Sequence, residues 1–242
     1  MAGSLALLAG CSSLPCHTLC QYSLPPGRSG EGRARGELSV GWLQKRDCFG
    51  LGSVAGESGT VLLVDREAWK LKGDGHAVRL PAEESLPFAL LCRFEAGKPT
   101  AVPLGGMTRQ DIENQLAAMA AGAAEAYAVR IDGRFRMLEL SNGSPEDCPY
   151  VEAAPGRAPE ASTLENVDGT LIGFRIPAFL DSLQPAGTHF HFIRRDRARG
   201  GHVLAFEMLT GSIWLHPMNM LQMQWPAHAG SLSVPPGMGE SP

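Results

Sequence analysis

Three of the chain's seven histidines stand in one short stretch, Gly187 to His202: His189, His191 and His202. If Gly187 to Ile193 forms a strand, residues two apart share a face, so His189 and His191 project together while Phe190 and Phe192 pack on the other side. Arg194 to Gly201 is charged and ends in two glycines, which is the chemistry of a hairpin loop. His202 to Met208 then returns as a second strand and brings His202 beside His191. Three imidazoles on one patch, with a fourth position open, make the ligand arrangement of a catalytic zinc site. A lone histidine on a strand ordinarily packs or faces solvent. The third imidazole across a Gly-Gly hairpin is what gives this group its chemical meaning.

The elements that must carry this hairpin are sheet-like. The chain has 242 residues, enough for one large core or two adjoining ones, and it holds 29 glycines and 18 prolines among short apolar runs. The expected fold class is α+β, with two sheet-containing lobes of mixed or antiparallel strands and few short helices. Strands are predicted at Thr60–Asp65 and Ala68–Leu71, joined by a short turn, and at Phe88–Phe94. Phe49–Val54 reads as a tight strand entry, since it lacks the spacing of a nucleotide loop. Ala126–Ile131 is expected to turn at Asp132-Gly133 into Arg134–Leu140. Further strands are expected at Gly169–Arg175 and, as the last strand, at Ser212–Leu215. A short helix is expected within Glu37–Lys45, and Pro177–Leu183 as a short helix or turn. Thr108 should cap a second helix with Asp111 reaching back, and Ile112, Leu116 and Met119 on one face. Asp74-Gly75 reads as a turn.

Charge narrows the partners. The net charge is −4 and the pI about 6.0, without the concentrated basic face of a nucleic-acid binder. The one basic cluster, Arg194, Arg195, Arg197 and Arg199, is broken by Asp196 and reads as a solvated turn or as the rim of an anionic-substrate pocket. The six cysteines form no C-x-x-C pair. No apolar run approaches the roughly 20 residues of a transmembrane helix.

Residues 1–19 read as a signal or lipobox segment or as a disordered N-terminus. Leu8-Ala-Gly-Cys11 has the form of a lipobox, but the apolar run is short and no basic residue precedes it. An exported lipoprotein follows if Cys11 is a true lipobox cysteine, and a cytoplasmic protein otherwise. Residues 20–225 form the expected domain, with a lobe boundary near 141–165, where four prolines mark a long loop. Residues 226–242 read as a disordered tail.

Several blocks resemble alpha-acetolactate decarboxylase. The strongest are Gly169-Thr-Leu-Ile-Gly-Phe-Arg-Ile-Pro177, then Ala186-Gly-Thr-His-Phe-His-Phe192, then Gly200-Gly-His-Val-Leu204. Weaker matches are Gln21-Tyr-Ser, Phe49-Gly-Leu-Gly, Lys72-Gly-Asp-Gly75, Pro87-Phe-Ala89 and Arg130-Ile-Asp-Gly133, in the family's order. The resemblance implies a zinc enzyme that converts 2-acetolactate, a small 2-hydroxy-3-oxo acid, to acetoin and carbon dioxide, commonly as a homodimer. It implies His189, His191 and His202 as the Zn²⁺ ligands.

Two positions depart from the family. Thr60 stands where the resemblance calls for a glutamate, and Ser141 where it calls for an arginine, eleven positions past Arg130. Glu57, Glu67 and Glu139 are the carboxylates nearby in sequence, though each reads more simply as a solvated turn or strand residue. His216 is a further imidazole that could approach the metal, though a lone histidine reads more simply as packing or facing solvent. These departures leave an alternative open: a diverged metal-binding protein on the same fold, without decarboxylase activity, serving as a small-acid binding or scaffold module.

Overall fold

The computed structural model describes residues 14–22, 38–54, 59–102, 105–120, 126–142, 160–181 and 184–224. The lipobox motif, the segment 143–159 and the C-terminal tail lie outside these residues. The early strands are β1 (Thr18–Tyr22), β2 (Leu38–Ser39), β3 (Cys48–Ser53), β4 (Thr60–Val64), β5 (Glu67–Leu71), β6 (Ala77–Arg79), β7 (Ser85–Leu86) and β8 (Phe88–Arg93). After them come β9 (Thr100–Val102), β10 (Met107–Thr108), β11 (Ala126–Asn142), β12 (Glu160–Ile176), β13 (Gly187–Arg194), β14 (Gly200–Met218) and β15 (Met220–Gln224). The helices are α1 (Val40–Lys45) and α2 (Arg109–Ala120), with a 3-10 turn at Ala178–Leu180.

The first sheet runs β15-β1-β8-β3-β4-β5-β6 and is antiparallel except for the β1–β15 pair. The second runs β10-β14-β11-β12-β13, with β9 also on β14. Because β13 pairs β14 as well as β12, the second sheet closes on itself. The fold is therefore the sheet-rich α+β class expected. Among the described residues no helix is long and apolar enough to cross a membrane.

Burial explains the strand patterns. Thr60-Val-Leu-Leu-Val64 is buried at every position, because β4 is covered on both faces. Leu62 and Val64 join the core between the sheets, beside Leu51, Leu90, Ile172 and Phe174. Val61 and Leu63 face the core under α1, with Val40 and Leu43. A third core, on the other face of the second sheet, packs Phe135, Phe190, Phe192 and Phe206 with Ile112 and Leu116 of α2. The capping box of α2 forms as expected: the Thr108 N–H donates to Asp111 Oδ2 at 2.9 Å, and the Asp111 N–H donates to Thr108 Oγ1 at 3.3 Å.

Three expectations are corrected. Asp132-Gly133 is no turn; β11 runs straight through it, and neither residue has a positive φ. Gly133 pairs with Gly169 on one side and Gly211 on the other, and a Cβ there would meet Met208 Cε and come within 2.6 Å of the Thr210 carbonyl. The glycine serves close strand approach rather than chain reversal. Second, the strands flanking 143–159 pair with each other, so that segment joins neighbours in one sheet. The chain passes between the sheets after Arg93 and before Thr100. Third, Ser212–Leu215 is the second half of β14, and β15 follows it.

Candidate functional site

The histidine hairpin forms as the residue spacing dictates. β13 and β14 pair at His191↔His202, Phe192↔Gly201 and Ile193↔Gly200. The turn is closed by the Arg194 N–H donating to the Arg199 carbonyl at 2.9 Å, with Arg197 left-handed at φ 59. On β12, Phe174 opposes His189 and Ile172 opposes His191. Cross-strand partners share a face, so both imidazoles turn toward the core between the sheets, where Phe174 and Ile172 lie. His202 joins them: its ring centroid is 5.1 Å from that of His191 and 6.3 Å from that of His189.

Burial sets the charge of these rings. His191 is fully buried, and desolvation holds it well below the usual imidazole pKa. Burial also lowers His189, partly countered by hydrogen bonds to the backbone at Ala186 and Pro185. Proline has no N–H, so its carbonyl accepts and the ring donates. Nε2 of His189 is shielded from solvent and makes no hydrogen bond, which assigns the donation to Nδ1. With Nδ1 donating, the lone pair lies on Nε2, and the backbone carbonyls behind the ring orient it as they would a ligating imidazole. Neutral imidazole is the form that binds metal.

Of the two departing positions, Ser141 adjoins the cluster directly, while Thr60 is linked to the hairpin only through Leu71. Ser141 is the direct cross-strand partner of His202 and is buried. Thr60, also buried, opposes Leu71. Leu71 in turn lies against the start of β14, since a Cβ on Gly200 would come within 2.8 Å of Leu71 Cδ2. The hairpin tip is tied to the first sheet by Gly200 N–H to the Gly75 carbonyl and Ala77 N–H to the Ala198 carbonyl, each 3.0 Å.

The alternative acids fare unequally. Glu67 is committed to Arg79 at 3.0 Å and Trp69 Nε1 at 3.2 Å, at the far end of β4–β5 from Thr60. Glu139 lies two residues before Ser141 on β11, hence on the same face, and is half-buried. Glu57 falls outside the described residues. His216 packs: it stacks on His17 with centroids 5.1 Å apart and planes 2° apart, fourteen residues along β14 from His202.

A network absent from the sequence reading fastens the hairpin. Asp65 in the β4–β5 turn pairs with Arg130 of β11 at 2.5 Å and with Arg197 of the hairpin turn at 2.6 Å. Arg130 also pairs with Asp132 at 3.0 Å, and Asp132 accepts from Thr170 Oγ1 at 2.7 Å. The arginine cluster is thus partly structural: Arg197 belongs to this network, Arg194 pairs with Asp196 at 3.0 Å, and Arg199 donates to the Asp74 carbonyl. Only the Asp-Gly and Arg-rich turn signals hinted at it.

In donor chemistry, three buried or half-buried imidazoles fit a borderline-soft cation such as zinc. Rings ligating one zinc have centroids on the order of 5 Å apart. The His191–His202 pair meets this at 5.1 Å, while His189 must swing inward from 6.3 Å. Among the described residues no three His, Cys, Asp or Glu side chains already stand in closed ligand geometry.

A closed antiparallel sheet against a mixed sheet, with a histidine hairpin turned to the core between them, defines the class. The profile of the alpha-acetolactate decarboxylase family matches residues 29–232, and the chain belongs to that family. An alpha-acetolactate decarboxylase of Methanosarcina mazei is 32% identical over 193 residues, covering 79% of this chain and 67% of the relative. One from Bacillus subtilis is 28% identical, covering 76% and 73%. The crystal structure of alpha-acetolactate decarboxylase from Bacillus subtilis strain 168 has the same fold, with a TM-score of 0.73 at 24% identity over 88% of this chain and 90% of that one.

Proposed function

We propose that the chain is a zinc-dependent carbon-carbon lyase that decarboxylates 2-acetolactate to acetoin, with His189, His191 and His202 as the metal ligands. The carrying observation is the cross-strand row Ser141↔His202↔His191, which sets the imidazoles of His202 and His191 side by side on the inter-sheet face. Zinc bound there would supply a Lewis acid for the negative charge left behind as carbon dioxide departs.

The chain's own residues do the rest. The core between the sheets, with Phe174, Ile172 and Leu71, excludes water and strengthens every electrostatic contact within. Burial keeps His189 and His191 neutral and therefore able to donate a lone pair. Thr60 and Ser141 offer hydroxyls where the family resemblance calls for a carboxylate and a guanidinium. A hydroxyl can hydrogen-bond a substrate oxygen but cannot pair with a carboxylate as arginine does, and it is a poor proton donor to carbon. Glu139 is the carboxylate that β11 carries on the same face as Ser141, two residues before it. The reading therefore includes weak substrate binding, slow protonation, and assembly as a homodimer, the last testable by sedimentation.

Thr60 and Ser141 also favour a second reading, a metal-binding module for small acids without turnover. A zinc-loaded assay with racemic acetolactate separates the two: acetoin forming above the spontaneous rate supports the enzyme, and binding without turnover supports the module.

A further inference from the structure

Where β13 and β14 part, an arginine from the opposite face of the sheet fills the gap. Their pairing ends at His191↔His202, although β13 extends back to Gly187 and β14 on to Met218. At that point β14 also bulges. Val203 opposes Leu140 and Ala205 opposes Glu139, which leaves Leu204 as the extra residue. A parting and a bulge together strand backbone carbonyls, which must find donors when buried.

Arg109, at the first position of α2, supplies them. Its Nη1 donates to the carbonyls of Val203 and Leu204, both at 2.9 Å, and its Nη2 donates to the Thr188 carbonyl at 3.0 Å. Its Nε is held by Glu113 at 2.9 Å, one turn along the helix, and the guanidinium lies 5.7 Å from the Phe190 ring. Two of the three carbonyls belong to residues adjoining the histidines, Thr188 before His189 and Val203 after His202, and the third belongs to the bulged Leu204. The Thr108–Asp111 cap fixes where α2 begins and so where Arg109 starts its reach. A guanidinium presents five N–H donors in a rigid fork; an ammonium is a point donor and cannot span both strands.

We infer that Arg109 is a positioning residue: its fork sets the opening between β13 and β14, and with it the separation of His189 from His202. The inference rests on the metal reading of the histidines and deepens it. Without the wedge, the strands either zip further or splay, and the third imidazole leaves the other two.

The test uses the full chain, stripped of metal by chelation and titrated with Zn²⁺ and Co²⁺, for wild type, Arg109→Gln and Arg109→Lys. Melting temperature is recorded on the same metal-free samples. Losing an outer-shell support of this kind should weaken Zn²⁺ binding about 10- to 100-fold and change the visible Co²⁺ spectrum that reports four-coordinate geometry. Arg109→Lys, which keeps the charge, should lose affinity too. A purely structural role would lower the melting temperature while leaving the Lys variant's affinity and spectrum at wild-type values, and that result overturns the inference. Wild-type protein that takes up neither metal overturns the metal reading itself, and the inference with it.

Discussion

Ser141 on β11 stands directly opposite His202 on β14, and His202 stands directly opposite His191 on β13. A position that the family resemblance assigns to an arginine thus adjoins the imidazole cluster in this chain and carries only a hydroxyl. Ser141→Arg should lower the KM for acetolactate about tenfold or more, since a charge-assisted pair with a carboxylate contributes about 1.5–3 kcal/mol. Ser141 is buried, so the larger side chain should also cost roughly 1–3 kcal/mol of stability through overpacking. Steady-state kinetics with a melting curve on the same sample check both. An unchanged or higher KM in a folded variant would show that position 141 does not face the substrate carboxylate.

Acid should destabilise the protein through His216. Burial lowers its pKa from 6.5, His17 stacked beside it lowers it further, and a hydrogen bond to the Glu95 backbone together with the Glu95 charge pulls the other way. The unfolded chain then takes up a proton that the folded chain refuses, so stability is full above about pH 6.5 and falls as pH drops below it. His216→Gln should show a shallower loss of melting temperature between pH 7 and pH 5 than wild type. Equal slopes would mean that His216 takes up its proton in the folded state as readily as in the unfolded.

The Asp65 network should weaken in acid too, but at lower pH and through charge pairing rather than burial. Burial alone would raise the Asp65 carboxyl, but Arg130 and Arg197 outweigh burial and hold it below 3.8. Its contribution is present above the unfolded value and is lost as pH falls through the folded one. Asp65→Asn removes both pairs at once and should cost ~1–2 kcal/mol at neutral pH, less at high salt, because the groups are partly exposed. Chemical denaturation at low and high salt checks this; a salt-independent loss would point to packing instead.

The histidine hairpin was legible because its signals are local. Period-two spacing put His189 and His191 on one face, and Gly200-Gly201 marked the return strand. The capping box of α2 was legible for the same reason, since both partners lie within four residues. Asp132-Gly133 misled for a physical reason: the same dipeptide that favours a two-residue turn also permits close approach of three strands, and only the partners Gly169 and Gly211 decide between them. The lobe boundary misled likewise, because a proline-rich stretch says that regular structure stops, not which sheet the chain rejoins. Arg109, and the Asp65 link to Arg130 and Arg197, were out of reach, since each bridges residues 65 or more positions apart.

The central claim is that His189, His191 and His202 form the metal centre of a decarboxylase. The most direct measurement is acetoin formation from racemic acetolactate by the zinc-loaded full chain, against its chelated form and His202→Ala, with bound zinc quantified in each. The expected result is about one zinc per chain and acetoin above the spontaneous rate in the loaded wild type, with both lost on chelation and in the variant. Zinc retained by His202→Ala, or acetoin production that survives chelation, would contradict it.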